Sequence, residues 1–348
     1  MHFNKLLFYF LFLIATTAFS QIGGNSVYEF MDLPFSAREA AAGGNLITVK
    51  DDDIDLTINN PSLITPGMDN HFAINYVDYI ADVNYGYAAY SKTYSGIGSF
   101  VTGIQYVNYG KFTESDPTGL ITGSFTAADY SFNIGYGRQL DSVFSVGATL
   151  RTIYSHLDQF TSLGSSMDFA ATYSNPKNFF TATAVIKGIG YQWITYTTGD
   201  QEPLPFEAQL GISKRLKKAP FRFSLVYRHL EVWDLTYIDP ANPPQTVDPL
   251  TGEPIPQNHF ATFADKLGRH LIGSAEILLG KNVAIRIGYN YERRQELKIT
   301  DQGTLAGFSF GLGFKISKFN INYGYAQYSP AGASNTFSIT TNLSEFYR

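Results

Sequence analysis

Two neighbouring segments between Thr126 and Tyr154 alternate apolar and polar residues, and this pattern constrains the fold most. In the first segment the apolar residues are Ala128, Tyr130, Phe132, Ile134 and Tyr136, and in the second they are Phe144, Val146, Ala148, Leu150 and Tyr154. A period of two is typical of a β-strand whose faces meet different surroundings. Strands of soluble proteins usually have about five or six residues, whereas a tilted strand that crosses a bilayer needs about 9 to 11. The length of these segments therefore favours a membrane barrel.

Composition narrows the class of protein. The 348 residues include 24 Tyr, 28 Phe, 31 Gly and no Cys, with a mean hydropathy of -0.09. This chain is too polar for a bundle of membrane helices, and beyond its N-terminus it lacks a run of about 20 apolar residues. The absence of cysteine excludes disulfides and thiolate metal sites. A net charge of -5 argues against a nucleic-acid partner.

The N-terminus predicts export. His2 and Lys5 precede an apolar run at residues 6–15, and small residues at Ala18 and Ser20 suit a cleavage site. We therefore interpret residues 1–20 as a secretory signal peptide and Gln21 as the start of the mature chain. The alternative, an uncleaved membrane anchor, is disfavoured because the apolar run is too short to span a bilayer.

The same alternation from residue 71 onward predicts about fourteen strands. They are residues 71–78, 83–92, 98–110, 126–138, 142–155, 165–174, 179–187, 204–215, 220–230, 268–278, 282–291, 305–315, 318–328 and 335–343. An even number of long strands is the rule for bacterial outer-membrane barrels. We predict an all-β fold, a transmembrane antiparallel up-and-down β-barrel of about 14 strands that occupies residues 71–348.

Short and long connections alternate along this chain. The predicted short turns are residues 93–97, 138–142, 174–178, 215–220, 278–282 and 315–318, and the long loops are 111–125, 156–164, 188–203, 231–267, 292–304 and 329–334. In outer-membrane barrels the short turns are periplasmic and the long loops face outward. We therefore expect an integral outer-membrane protein, surrounded by outer-membrane lipid, with its long loops at the cell surface. A soluble β-sandwich is the alternative, but its apolar face would be dominated by Val, Ile and Leu rather than Tyr and Phe.

Four arginines fall on the predicted internal face of the barrel. They are Arg151, Arg222, Arg228 and Arg286. A cationic side chain that faced lipid near the midplane would cost about 2 to 4 kcal/mol, which supports the assignment of the two faces. These arginines either line a path for anionic solutes or pair with Glu207, Asp129 and an acidic N-terminal segment. We favour pairing, because charged residues at membrane depth generally pair with one another.

Residues 21–70 do not alternate and are predicted to form a plug. Residues 36–42 favour a short helix that Ser36 caps, with Glu39 at the capping-box position and Gly43 and Gly44 at its end. An acidic run follows at residues 51–55, and then comes a turn or cap signal. The candidate plug residues in that signal are Asn59, Asn60 and Pro61. A barrel of about fourteen strands has room for a plug, since eight strands fill themselves and sixteen leave a channel.

The sequence offers no catalytic chemistry. Its six histidines lack metal-ligand spacing, and neither a nucleophile elbow nor a phosphate-binding loop is present. The acidic run at residues 51–55 lacks the glycine and the final glutamate of a calcium loop, so a solvated turn is the preferred interpretation. We expect a protein that is not an enzyme and that has no cofactor and no metal.

Several segments resemble the PorV/PorQ family. The likeness begins at residues 21–30, 33–45, 51–54 and 59–62, and it continues at 84–90, 103–106, 203–206, 219–223 and 233–237, so that it covers nearly the whole mature chain. The resemblance implies an outer-membrane barrel with a FadL-like fold, fourteen strands and an N-terminal plug. It also implies a component of the Bacteroidetes type IX secretion system that anchors the cell-surface attachment complex. The partners it implies are extracellular PorZ, together with the protease PorU and with PorV.

The longest connection, residues 231–267, is the candidate partner-docking loop. Its candidate contact residues are Trp233, Tyr237, Pro243 and Pro244. Prolines lower the entropy lost on ordering, and exposed aromatic residues are frequent in binding hot spots. The alternative is a loop folded over the barrel mouth. A second functional hypothesis, a FadL-like transporter of hydrophobic compounds, is supported by the predicted fold alone.

Overall fold

The computed structural model describes residues 26–237, 258–297, 305–329 and 332–347. The predicted signal peptide and two of the candidate docking residues, Pro243 and Pro244, lie outside these ranges.

Fourteen antiparallel strands form one closed barrel, as predicted. They are β1 His71–Asp78, β2 Asn84–Tyr94, β3 Gly98–Ser115, β4 Ile121–Gln139, β5 Phe144–Leu157, β6 Phe160–Asn175, β7 Phe180–Ile194, β8 Glu207–Arg215, β9 Phe221–Tyr227, β10 Leu271–Leu279, β11 Val283–Asn290, β12 Phe308–Ile316, β13 Phe319–Ser329 and β14 Gly332–Asn342. Each strand pairs with its neighbours in sequence, and β1 closes the ring by pairing with β14 through Ile74 and Ile339. Such closure leaves no unpaired strand edge, which a bilayer requires.

The described residues also form three α-helices. They are α1 Ala37–Ala41, α2 His259–Arg269 and α3 Tyr291–Glu296. Short 3₁₀ turns lie at Glu29–Asp32, Ile54–Ile58, Pro61–Leu63, Pro66–Met68 and Leu343–Glu345. Among the described residues, no helix has the length and apolar character needed to cross a membrane.

The hairpin of β4 and β5 has the two faces that its sequence predicts. Phe132 and Leu150 on the outer face are 50% and 44% exposed, whereas Asn133 and Arg151 on the inner face are 4% and 2% exposed. The outer face is thus an apolar surface that suits lipid, and the inner face is polar and packed. The same division places polar and small residues toward the barrel interior elsewhere.

The predicted loop at residues 111–125 is wrong, because most of it is strand. β3 extends to Ser115 and β4 begins at Ile121, with a turn at residues 116–120 between them. Pairing continues here through Phe112 and Phe125 across a register shift after Asn108. Most side chains in this extension are exposed on both faces, so the sequence shows no alternation of hydrophobicity. Only the backbone pairing defines the strand.

The barrel wall is lower from β8 to β11. These strands have seven to nine residues, whereas β3 to β7 have 14 to 19. The predicted strand at 204–215 begins only at Glu207, because Leu204 turns inward and is buried. The predicted strand at 268–278 begins only at Leu271, because α2 precedes it; Asn258 caps α2 by accepting a hydrogen bond from the Ala261 N–H.

The two ends of the barrel differ in their connections. One end, here named the short-turn end, carries the links from β2 to β3, β4 to β5, β6 to β7, β8 to β9, β10 to β11 and β12 to β13. The other, named the long-loop end, carries the long connections 195–206, 228–270 and 291–307, together with α2 and α3. The two ends of the barrel are therefore structurally distinct.

Candidate functional site

Residues 26–70, named the lumenal segment, lie within the barrel. The segment makes hydrogen bonds to strands on different sides of the ring, from Ala37 N–H to Ser338 Oγ on β14 and from Asn45 Nδ2 to Gln209 Oε1 on β8. Toward the long-loop end, Tyr28 and Ser162 hydroxyls are 2.5 Å apart. The segment therefore occupies the position that the sequence predicts for a plug. That it closes the barrel to solutes stays a prediction.

Glycines on the inner face of the wall allow the helix α1 to pack closely against it. A Cβ added at Gly311 would lie 2.4 Å from the Cβ of Ala41, and one at Gly324 would lie 2.5 Å from the Ala37 carbonyl oxygen. At Gly288 a Cβ would come within 2.2 Å of the Gly43 nitrogen. The small residues of the helix and of the wall thus allow the two backbones to approach closely.

The local sequence explains why α1 begins and ends where it does. Ser36 Oγ accepts a hydrogen bond from the Glu39 N–H, as an N-cap residue does. Gly43 and Gly44 end the helix with φ values of +99° and +95°, which residues with a Cβ rarely adopt. The Glu39 carboxylate does not complete a capping box but accepts a hydrogen bond from Asn59 Nδ2.

Glu39 is a buried acid that has no ion-pair partner among the described residues. Its Oε2 atom has no hydrogen-bond partner, and its side chain lies inside the packed lumenal segment. Burial raises the pKa of this carboxyl to about 8, although the charges of Lys187 and Arg228 and the Asn59 hydrogen bond oppose the rise. Because the folded state binds the proton more tightly, Glu39 favours folding at low pH, and this contribution is lost as pH rises toward about 8.

We expect Glu39→Gln to remove part of the pH dependence of stability. The amide keeps a neutral side chain of the same shape, so the variant should resist urea better than the native chain at pH 9, with the difference vanishing at pH 4. Urea midpoints of the barrel in detergent, recorded across this range, measure the effect. Parallel curves for the two proteins would contradict the assignment of a buried, protonated Glu39.

Arg38 joins the lumenal segment to the wall through three carboxylates. Its guanidinium donates to Asp51 at 2.7 Å, to Asp53 at 2.8 Å and to Glu276 of β10 at 2.9 Å. Arg38 and Glu276 are almost completely buried. The contact therefore links the helix α1, the acidic run and the barrel wall at one point.

Two wall arginines complete this network. Arg222 of β9 donates to Glu276 at 2.8 Å and to Asp51 at 2.9 Å, and Arg286 of β11 donates to Glu276 at 2.9 Å. The group is named the Arg38 cluster and consists of Arg38, Asp51, Asp53, Arg222, Glu276 and Arg286. Three cations and three carboxylates balance, which buried charges require.

A second network lies nearer the long-loop end. Lys187 of β7 donates to Asp32 of the lumenal segment at 2.9 Å and lies 3.1 Å from Glu207. Arg228, which follows β9, donates to Glu207 at 2.7 Å. Glu207 thus pairs with Arg228, one of the four arginines predicted to face the lumen.

The remaining predicted arginine, Arg151, binds within the wall and to the lumenal segment. It is 2.6 Å from Asp168 of β6 and donates to the Ile58 carbonyl oxygen at 2.6 Å. Asp129, a predicted partner for these arginines, accepts instead from the Tyr109 hydroxyl at 2.6 Å. All four arginines therefore make polar contacts, and we find no row of unpaired cations among them in the described lumen.

The candidate plug residues stabilise turns of the lumenal segment and contact the barrel wall. Asn60 caps the 3₁₀ turn Pro61–Leu63 by accepting a hydrogen bond from the Ser62 N–H, and its Nδ2 donates to the Ile47 carbonyl oxygen at 2.6 Å. Ser62 and Thr172 hydroxyls are 2.6 Å apart, which ties this turn to β6. Backbone atoms of Pro61 lie close against the inner face at Gly147.

At the long-loop end the lumen is apolar and aromatic. The lumenal segment contributes Val27, Tyr28, Phe30, Met31 and Phe35, and the wall contributes Tyr85, Val107, Ile153 and Leu204. Phe35 and Tyr85 meet edge to face at a centroid distance of 5.2 Å. These side chains are buried and pack against one another, so the region differs from the polar interior of a water-filled pore.

At the short-turn end a polar cavity of about 620 Å³ opens beside the Arg38 cluster. Its lining includes Lys281, Lys315 and Asn320 from the wall and Asp52 from the lumenal segment. The lumen is thus polar at one end and apolar at the other. Five members of the Arg38 cluster, all except Glu276, line this polar cavity.

The described part of the candidate docking loop exposes aromatic residues. Trp233 is 46% exposed and packs against Phe263 of α2 and against the imidazole of His270. Tyr237 is 67% exposed. Phe260, also on α2, is 79% exposed and was not among the sequence-predicted residues. Phe260, Phe263 and Leu267 follow the spacing of one face of a helix, which could have predicted α2 within the segment interpreted as a loop.

Sequence reasoning also missed the wall carboxylates Glu276 and Asp168. Both lie on the inner face of their strands and are 1% exposed. Each could have been found as a single acidic residue at an inward position of a strand that is otherwise rich in apolar or small residues. An acidic side chain at such a position generally has a cation nearby.

No family model matches this sequence, and no curated protein matches it. The toluene transporter TodX of Pseudomonas putida matches the structure with a TM-score of 0.51 and 11% identity, covering 88% of this chain and 96% of that one. A deltaS2 mutant of the TodX monoaromatic hydrocarbon channel gives 0.50, with 12% identity and coverage of 89% and 97%. A Pseudomonas aeruginosa FadL homologue gives 0.49, with 10% identity and coverage of 92% and 100%. The chain therefore has the barrel fold that TodX has.

Proposed function

We propose that this protein is an outer-membrane barrel that carries small hydrophobic compounds through its lumen, without chemical change. The observation that carries the proposal is the apolar, aromatic cluster that the lumenal segment and the wall form at the long-loop end, in a barrel with the fold of a toluene transporter. An apolar lining suits a solute that binds by burial of its surface rather than by hydrogen bonds.

We expect passage to require a shift of the lumenal segment, because this segment lies within the barrel between the two ends. The charge networks at Arg38 and at Lys187 would hold it in the closed position. Removing one partner of a buried ion pair is strongly destabilising, so these networks would favour the closed position. The segment is therefore suited to act as a gate.

The test is uptake by cells that lack their own hydrophobic-compound channels. We expect cells that produce the full chain to take up radiolabelled toluene and oleate faster than cells with an empty vector, with no gain for a sugar of similar size. Uptake of both probes equal to that of the vector cells would overturn the proposal.

Surface anchoring of secreted proteins, as in the type IX secretion system, is a second candidate. It is supported by the resemblance to the PorV/PorQ family and by the exposed aromatic residues at the long-loop end. Trp233, Tyr237 and Phe260 present apolar area of the kind found in hot spots. The proposed partners are extracellular proteins of that system, PorZ first and then PorU and PorV.

For this candidate we expect Tyr237→Ser with Phe260→Ser to lower recovery of a partner at least tenfold, since each hot-spot residue contributes about 2 kcal/mol. The measurement is quantitative mass spectrometry of proteins that co-purify with the tagged barrel from solubilised outer membranes. Phe346→Ser, at the short-turn end, is the matched control. Equal recovery with all three proteins would exclude this surface as the docking site.

A further inference from the structure

The short-turn end carries a one-sided band of positive charge. The turns at residues 174–178, 213–220, 279–282 and 315–318 contain eight basic residues and no acidic residue. These residues, named the basic rim, are Lys177, Lys214, Arg215, Lys217, Lys218, Lys281, Lys315 and Lys318. On the other side of this end, the turns at 93–97 and 138–142 contain only two charged residues, Arg138 and Asp141, whose charges cancel. The charge is therefore concentrated on the side from β6 to β13.

Carboxylates of the protein do not neutralise this band. No described carboxylate side chain lies within 4.0 Å of a basic-rim nitrogen. The contacts that these side chains do make are with neutral groups: Lys214 donates to the Asn178 carbonyl oxygen at 2.6 Å, and Lys318 lies 4.5 Å from the Phe346 ring centroid. Lys92 at the same end, by contrast, pairs with Asp69 at 3.2 Å.

Part of the basic rim lies at the edge of the apolar outer face, whereas Lys281, Lys315 and Lys318 line the polar cavity of the lumen. Lys214 continues the outward row of Leu210 and Ile212 on β8, which are 48% and 47% exposed. Lys315, by contrast, alternates with the outward Phe314 and Ile316 of β12 and lines the polar cavity.

Arg215 lies at the same boundary, with its guanidinium 5.9 Å from the ring centroid of the exposed Phe179. Cations at such a boundary lie at the depth of lipid headgroups, where long basic side chains extend toward phosphates.

We propose that the part of the basic rim around the turn from β8 to β9, with Lys214, Lys217 and Lys218, binds the phosphates of anionic phospholipids in the adjacent leaflet. The proposal rests on the proposed insertion in a membrane. The charge of the rim complements an anionic headgroup, whereas the whole chain, with a net charge of -5, repels anions. Binding of anionic lipid is therefore a property of this side of the barrel and not of its overall charge.

The test is native mass spectrometry of the full-length barrel, purified in detergent and titrated with phosphatidylglycerol or phosphatidylcholine. We expect preferential retention of phosphatidylglycerol, and Lys217→Gln with Lys218→Gln should weaken it about tenfold, since each basic residue near a headgroup contributes roughly a severalfold factor. Neither lysine makes a hydrogen bond in the described structure, so the change should leave the fold intact. Heat-dependent gel mobility checks that each variant is folded.

The matched control, Lys111→Gln with Arg138→Gln, removes two charges outside the basic rim. We expect it to retain phosphatidylglycerol as the native chain does. Equal retention of the two lipids by the native chain, or an equal loss in both double variants, would overturn the proposal. Lipid retention is measured on purified protein and does not depend on uptake, so it can fail or succeed independently of the proposed transport.

Discussion

Glu276→Gln should destabilise the folded barrel by about 3 to 5 kcal/mol, the usual cost of breaking a buried ion network. Glu276 accepts hydrogen bonds from Arg38, Arg222 and Arg286 at 2.8 to 2.9 Å and is 1% exposed. The neutral amide leaves one buried positive charge without compensation. Arg38 belongs to the lumenal segment, and Glu276 joins it to the barrel wall. We therefore also expect the segment to leave its position and the ion conductance of the barrel to rise.

Urea unfolding in detergent and single-channel recording in planar bilayers measure these two effects. The matched control is Lys92→Gln, which breaks an ion pair whose side chains are both 38% exposed. Exposed pairs contribute up to about 1 kcal/mol, so the control should change neither quantity by much. Equal urea midpoints for Glu276→Gln and the native chain would show that the Arg38 cluster does not stabilise the barrel.

Gly311→Val should displace the helix α1 without any change of charge. A Cβ at this position would lie 2.4 Å from the Ala41 Cβ and 2.8 Å from the Tyr323 carbonyl oxygen, and valine adds two further methyl groups. Forcing such atoms into a packed region costs about 1 to 3 kcal/mol. The strand itself accepts valine readily, so we expect the wall to persist while the lumenal segment moves.

Limited proteolysis of the detergent-solubilised protein distinguishes these parts, with cleavage expected after Arg38 or Lys50 of the lumenal segment. Gly273→Val is the matched control, because a Cβ there meets nothing within 4 Å. Protection of the lumenal segment in Gly311→Val, equal to that in Gly273→Val, would contradict the close packing of α1 on the wall.

The strands that cross the membrane could be predicted from the sequence because each face meets one kind of surroundings. The hairpin of β4 and β5 is the clearest case, since its outer face is apolar and its inner face polar over a full crossing. The extension of β3 and β4 beyond Asn108 and Ala128 could not be predicted, because most of its side chains are exposed on both faces. There the backbone hydrogen bonds define the structure, and the side chains carry no alternating signal.

The site could be predicted only in part. The Ser36 cap, the glycine stop after α1 and the inward direction of Arg151 follow from local rules. The partners of Arg38 could not be found in this way, because Glu276 is 238 residues distant in sequence and meets it only when the barrel closes. The helix α2 was not predicted, because its aromatic residues follow a proline-rich stretch that favours a loop.

A reversible cross-link tests the central claim most directly, namely that solutes pass through the lumen when the lumenal segment moves. Ser62 and Thr172 hydroxyls are 2.6 Å apart, and the chain has no cysteine, so Ser62→Cys with Thr172→Cys offers one disulfide between the segment and β6. We predict that oxidised cells take up radiolabelled toluene no faster than vector cells and that a reductant restores uptake, while each single-cysteine variant is unaffected. Equal uptake by the oxidised and reduced double variant, with the cross-link shown by mass spectrometry, would contradict the claim.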